Sequence, residues 1–304
     1  MDSQNLLAFI ILAIVITGIF GNFISIIIFS RAHMRALPVN ILLCALSTVD
    51  LALLLLSIPV FVIPGLEPWL NVSVLYEYYA YMLKFVYPIN LIMQTCSIYI
   101  MVLITMERWS AVCKPLQVRI WCTAKKSRNA VFIIFLCAIL YNIPRFFEYT
   151  IETADNGNVI YARNLRDPHL YPYYMIGYFT TCYLITHFIV PFGIIIVMNL
   201  NVCWTMFAMS RIRSDLTHQQ QRENSTTIML LVVTILFASC NLLPFVLNLI
   251  ECIIPDFFTN SNTTKLAYQL NDISNLLVIL NSAITFIIYF IFSEKYRKTL
   301  QMLR

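Results

Sequence analysis

Charge is the scarcest commodity in this sequence. Only 12% of its 304 residues are Asp, Glu, Lys or Arg, where a soluble domain carries about 25%. Hydrophobic residues make up 60% and the mean hydropathy is +0.78. So little charge cannot clothe a water-facing surface, which excludes an ordinary soluble domain and leaves lipid as the main solvent. Catalytic groupings are missing too. No paired carboxylates, Ser-His-Asp constellation or phosphate loop stands out, and His33, His169, His187 and His218 are scattered. An enzyme is therefore the least expected class. Among nine cysteines no Cys-x2-Cys spacing occurs, which argues against a thiolate metal site and for buried or cytosolic free thiols. No small-residue cleavage site follows the first apolar run, so that run reads as a membrane helix rather than a signal peptide. No internal repeat is visible, which counts against a transporter built from repeats.

What is present is a series of long apolar runs. Crossing ~30 Å of hydrocarbon takes about 20 residues as a helix. Seven runs qualify, at about 6–30, 39–63, 79–107, 129–147, 173–207, 227–254 and 268–292. Polar connectors join them without low-complexity tracts, so residues 1–304 are expected to form a single all-α seven-transmembrane bundle. In the last segment Phe292, Tyr296 and Leu300 recur every four residues among Lys295, Arg297 and Lys298. That pattern predicts a short amphipathic helix over 293–303 at the membrane surface.

Basic residues set the orientation. Fifteen of the 20 lie in connectors on one side, including Arg31, Arg35, Lys125, Lys126, Arg211, Arg213, Lys295 and Lys298. The positive-inside rule makes that side cytoplasmic and places the N-terminus outside. Topology accounts for these charges, so nucleic acid is not an expected partner. The outer face carries ten acids against five bases, a net of −5, and such a mouth attracts cations. Asn71-Val-Ser and Asn262-Thr-Thr fall on outer connectors as glycosylation sequons.

A few polar groups sit where lipid makes them expensive. Asp50 is the one clear mid-span carboxylate and needs partners. Asn22, Ser97 and Asn281 lie at similar depth. Together these oxygens suit either a small cation such as Na⁺ or a hydrogen-bonded water network; no other cofactor is expected. Glu107-Arg108-Trp109 ends span three, where adjacent opposite charges restrain one another until a partner draws on the guanidinium. Candidate pocket-lining residues are Asn90 and Gln94 on span three, Asn248 and Glu251 on span six, and Asn271, Asp272 and Asn275 on span seven. Glu148 is a further candidate, although Arg145, at i,i+3, is placed to pair with it. His187 on span five reads more readily as a packing residue than as a pocket residue.

These motifs, in their order, resemble rhodopsin-like (class A) G-protein-coupled receptors. The resemblance runs from Gly21-Asn22 through Leu46-Ser-Thr-Val-Asp50, Glu107-Arg108-Trp109 with Pro115-Leu116, Pro191, Pro244, and Asn281 to Tyr289. Tyr87-Pro88, Gln94-Thr-Cys-Ser-Ile-Tyr99, Tyr141-Asn-Ile-Pro-Arg-Phe-Phe-Glu148 and Cys240-Asn-Leu-Leu-Pro244 are more narrowly similar to invertebrate FMRFamide-type neuropeptide receptors. The resemblance implies an extracellular amidated peptide ending in Arg-Phe-amide, a heterotrimeric G protein inside, and switch roles for Glu107, Arg108, Asn199, Pro244 and Tyr289. Glu251 or Asp272, on the acidic outer face, is placed to pair with the guanidinium of such a ligand. The sequence departs from the family pattern in several places. The usual outer disulfide is absent: its span-three position falls near Leu83, and loop 148–172 has no cysteine. Counting back from Pro244 puts Leu242 at the span-six tryptophan switch. Thr285 heads the motif that ends in Tyr289, and Asn199 stands at the usual span-five tyrosine. A chemosensory receptor for a small molecule, and beyond it a transporter or channel, are the alternatives.

Overall fold

The computed structural model describes residues 3–65, 78–153, 159–165, 170–212, 218–254 and 263–302. Seven helices among these residues are long and apolar enough to cross a membrane: Leu7–Phe29, Pro38–Val62, Tyr78–Cys113, Ala124–Phe147, Tyr174–Ala208, Thr227–Ile250 and Thr264–Phe292. Helix is the form that satisfies every backbone donor and acceptor within one segment, which lipid demands. The third span is the most enclosed of the seven, and its buried residues, from Pro88 to Ser110, run along the middle of the bundle.

The ends differ from the apolar runs in instructive ways. Span three continues past Trp109 to Cys113, so Glu107 and Arg108 lie more than a turn inside the helix. Span four begins at Ala124, with Lys125, Lys126 and Arg128 exposed in its first turns and the Thr123 hydroxyl capping the Lys126 amide at 3.4 Å. The helix carrying span six starts at His218, two polar turns before its apolar part. Hydropathy measures only the stretch that lipid contacts; propensity and caps set where the helix itself ends.

Three π-helical turns adjoin prolines. Ile58–Val62 precedes Pro64, Met82–Val86 precedes Pro88, and Ile185–Ile189 precedes Pro191. Proline has no N–H and its ring crowds the carbonyl four residues back, so the preceding turn widens to relieve it.

Spans one and seven pack closely at Gly18 and Gly21. A Cβ on Gly18 would stand 2.7 Å from Ala283 Cβ and 2.8 Å from the Ala283 Cα. One on Gly21 would enter the Phe286 ring. A ring can swing aside, but the span-seven backbone at Ala283 cannot. Gly18→Ala is therefore expected to cost about 1–3 kcal/mol, as overpacking does. Thermal unfolding in detergent checks it: a clear drop in midpoint is expected, larger than for Gly193→Ala, where nothing lies within 4 Å of the added methyl.

The last helix, Glu294–Gln301, follows an Ser293 cap whose hydroxyl accepts from the Tyr296 amide at 3.2 Å. Its apolar side is bolted to the bundle. The Tyr296 hydroxyl and Ser25 share a hydrogen bond of 2.8 Å, and His33 Nε2 meets the Thr299 hydroxyl at 3.0 Å. Burial pushes the Tyr296 phenol above its ordinary range, so it stays neutral. Arg297 donates to the Phe290 carbonyl at 2.9 Å and the Ile291 carbonyl at 2.5 Å, closing the end of span seven.

Beyond span four the chain forms an antiparallel hairpin of β1 (Tyr149–Thr153) and β2 (Val159–Arg163), with Tyr149 opposite Arg163. The outer-loop sequence did not announce these strands.

Candidate functional site

The mid-membrane cluster forms around Asp50. Ser97 on span three donates to Asp50 Oδ1 at 3.0 Å, and Ser282 on span seven donates to the same oxygen at 3.1 Å. Asn22 on span one donates to the Gly18 carbonyl at 3.0 Å and the Ser282 carbonyl at 2.9 Å. Three helices thus meet at one carboxylate, and span one joins them through the Ser282 carbonyl. Asn281 is buried alongside, but its neighbour Ser282 makes the bond to Asp50. Adjacent residues on a helix point about 100° apart, so depth alone could not choose between them. Asn22 Oδ1, Ser47 Oγ and the Tyr289 hydroxyl are buried in this core without a protein partner. The oxygen-rich donor set fits either water or a small hard cation.

At the inner end Arg108 Nε donates to Glu107 Oε2 at 2.6 Å. Arg108, Thr105, Asn199, Val202, Leu230 and Thr234 line a cleft of about 10 Å³ between spans three, five and six. That is roughly one water in size, so span six lies shut against span three at this level. Asn199 donates to Thr234 across the same gap at 2.9 Å. Tyr289 is not part of this contact. It is fully buried and packs edge-on against Phe29 at 5.3 Å and beside Tyr296 at 6.0 Å.

Span six shows a departure from the motif count. Its buried stripe runs through Leu230, Val233, Phe237, Asn241, Pro244 and Leu247. Its exposed stripe runs through Ile228, Ile235, Leu242, Val246 and Leu249, with Leu242 59% exposed. The core-facing position below Pro244 is therefore Asn241 and not Leu242. Asn241 donates to the Phe237 carbonyl at 2.8 Å, and Asn248 to the Pro244 carbonyl at 2.8 Å. Phe237 in turn stacks on Phe192 at 5.6 Å, Phe192 on Phe188 at 6.2 Å, and Phe245 leans on Phe188 at 5.5 Å. This aromatic ladder between spans five and six fixes the rotation of span six. No rule based on counting from proline contains that information.

The outer candidates divide into committed and open side chains. Asn90 is buried and donates to the Leu53 carbonyl at 3.3 Å. Glu148 is fully buried, with Oε1 accepting from Arg145 at 2.7 Å and from Tyr174 at 2.8 Å. An external ligand reaches it only if that arrangement changes. Gln94, Asp272 and Asn275 are half-buried and Asn271 is exposed; none bonds to another described side chain. The Glu251 side chain, Asn71 and Asn262 lie outside the described residues. His187 takes the hydrogen-bonded packing role expected of it on span five. It is buried, with Nε2 against Thr95 at 2.9 Å and Nδ1 against Thr186 at 3.0 Å, and Asn142 donates to Thr95 at 3.0 Å. This network ties spans three, four and five together.

A bundle of seven apolar helices with an Asp50 core and an Arg108 inner end defines a membrane receptor architecture. The chain belongs to the 7 transmembrane receptor (rhodopsin family), whose model matches residues 21–289. It is a family of receptors rather than enzymes. Among its relatives, the FMRFamide peptide receptor frpr-18 of Caenorhabditis elegans is 58% identical over 300 residues, covering 99% of this chain and 69% of the relative. The FMRFamide receptor of Drosophila melanogaster is 36% identical over 291 residues, covering 93% of this chain and 51% of the relative. The chain thus spans about two thirds and half of their lengths respectively.

Proposed function

We propose that the chain is a plasma-membrane receptor for a short, cationic, C-terminally amidated peptide, which it reports to a heterotrimeric G protein inside. The observation that carries this reading is the 58% identity to a receptor named for FMRFamide across 99% of the chain. The excess of basic residues in the connectors after spans one, three and five supports a cytoplasmic C-terminus. Within the bundle, Gln94, Asn271, Asp272 and Asn275 are open polar side chains for a ligand, joined on span six by Asn248, whose amide N–H is held by the Pro244 carbonyl, and by Glu251. Asp272 is the carboxylate assigned to the ligand guanidinium. Glu107, Arg108, Asn199, Pro244 and Tyr289 form the switch, with span six hinged where Pro244 cannot donate to the carbonyl four residues back.

Asp50, Ser97 and Ser282, with Asn281 beside them, are proposed to hold either water or Na⁺ in the closed state. Asn71 and Asn262 are proposed glycan sites. The reading is tested by G-protein activation in cells expressing the chain against amidated peptides with varied C-termini. Responses confined to Arg-Phe-amide-like peptides are expected. Silence to all of them at verified surface expression, with a response to small metabolites, would transfer the assignment to chemosensing.

A further inference from the structure

The outer end of span four carries a buried ion pair that none of these roles uses. Arg145 and Glu148 are 3% and 0% exposed and meet at 2.7 Å. The Arg145 guanidinium is surrounded by span-five rings: Phe179 at 4.7 Å, Tyr183 at 5.2 Å and Tyr178 at 5.3 Å. Glu148 also accepts from the Tyr174 hydroxyl at 2.8 Å, at the start of span five. Its main chain belongs to the hairpin. The Asn164 amide donates to the Glu148 carbonyl at 2.9 Å, which extends the β1–β2 ladder by one rung. Glu148 is therefore bonded at once to span four, span five and the outer hairpin.

Stability alone does not account for this arrangement. Taking two charges out of water costs about what their attraction returns, and buried pairs are best attested as devices that fix register. Here the pair is not even fully satisfied, since Arg145 Nε and Glu148 Oε2 are both buried without a partner. Loop 148–172 contains no cysteine, so no disulfide within it can fix the hairpin to the bundle.

We infer that the Arg145–Glu148 pair is a non-covalent tether that positions the outer hairpin on spans four and five. Its aromatic surroundings hold the guanidinium by cation–π contacts on the span-five side, and the hydrogen-bonded carboxylate passes that position to the hairpin backbone. Both are positioning residues; neither is assigned to ligand.

Hydrogen exchange of residues 1–304 in lipid nanodiscs tests this without any ligand. Exchanging both residues for methionine removes both charges together and roughly keeps volume. In that Arg145→Met, Glu148→Met variant the amides of Tyr149–Thr153 are expected to exchange at least about tenfold faster, by local opening, while amides of spans three and seven keep their protection. Tyr174→Phe, which removes one donor to Glu148 and no charge, is expected to give a smaller acceleration confined to the same strand. A folded double variant whose hairpin exchanges at the parent rate overturns the tether. A double variant that loses protection throughout the bundle, or no longer folds, overturns it as well, because the pair would then be holding the bundle and not the hairpin.

Discussion

Arg108→Ala is expected to reduce agonist-stimulated nucleotide exchange on the G protein to the unstimulated rate while peptide binding to the outer face persists. The side chain is only 16% exposed, and its Nε is held by Glu107 at 2.6 Å. It faces a cleft too small for anything but about one water. In this closed arrangement its ion-pair partner among the described residues is Glu107, on its own helix. Opening the cleft frees a planar fork of donors, and alanine has none to offer. A ligand acts only through its differential affinity for the two arrangements, and moving the population from 1:99 to 99:1 takes about 5.5 kcal/mol. In the proposed mechanism that energy is delivered at the outer face, so binding is expected not to require Arg108. Radioligand binding and nucleotide exchange on the same membranes check the separation. Full exchange by the variant would remove Arg108 from the switch.

The second large effect is expected at Asp272. Asp272→Asn keeps the size and polarity of the side chain and deletes its charge. If the ligand guanidinium pairs there, a charged hydrogen bond worth about 1.5–3 kcal/mol is lost, and peptide potency falls roughly 10- to 100-fold. The control is built into the ligand: a peptide with citrulline in place of arginine should lose potency on the parent receptor and little more on the variant. Potency loss that is additive between the two changes would place the guanidinium elsewhere, with Glu251 the next carboxylate to examine.

The seven spans were legible because lipid imposes a length and a composition on every crossing. The surface helix was legible from the recurrence of Phe292, Tyr296 and Leu300. Rotation about a helix axis was not. Matching Leu242 to a motif position says nothing of which way it faces; beside the stack of Phe188, Phe192 and Phe237, Asn241 is buried and Leu242 is exposed. The same limit put Asn281 where Ser282 bonds Asp50. Asp50 and Ser97 were found because a carboxylate in hydrocarbon must be met by donors. The i,i+3 spacing of Arg145 and Glu148 foretold their pairing; what their pair holds depends on Tyr174 and on the hairpin, both distant or unmarked in sequence.

Peptide binding outside is expected to open the inner end of span six away from Arg108. The most direct measurement is the distance between spectroscopic labels at Ala111 on span three and Ile228 on span six, in a receptor whose accessible native cysteines have been replaced. The account predicts a short distance without ligand, and a longer one when an Arg-Phe-amide peptide and nucleotide-free G protein are both present. An unchanged distance in a sample that is actively catalysing nucleotide exchange would contradict it.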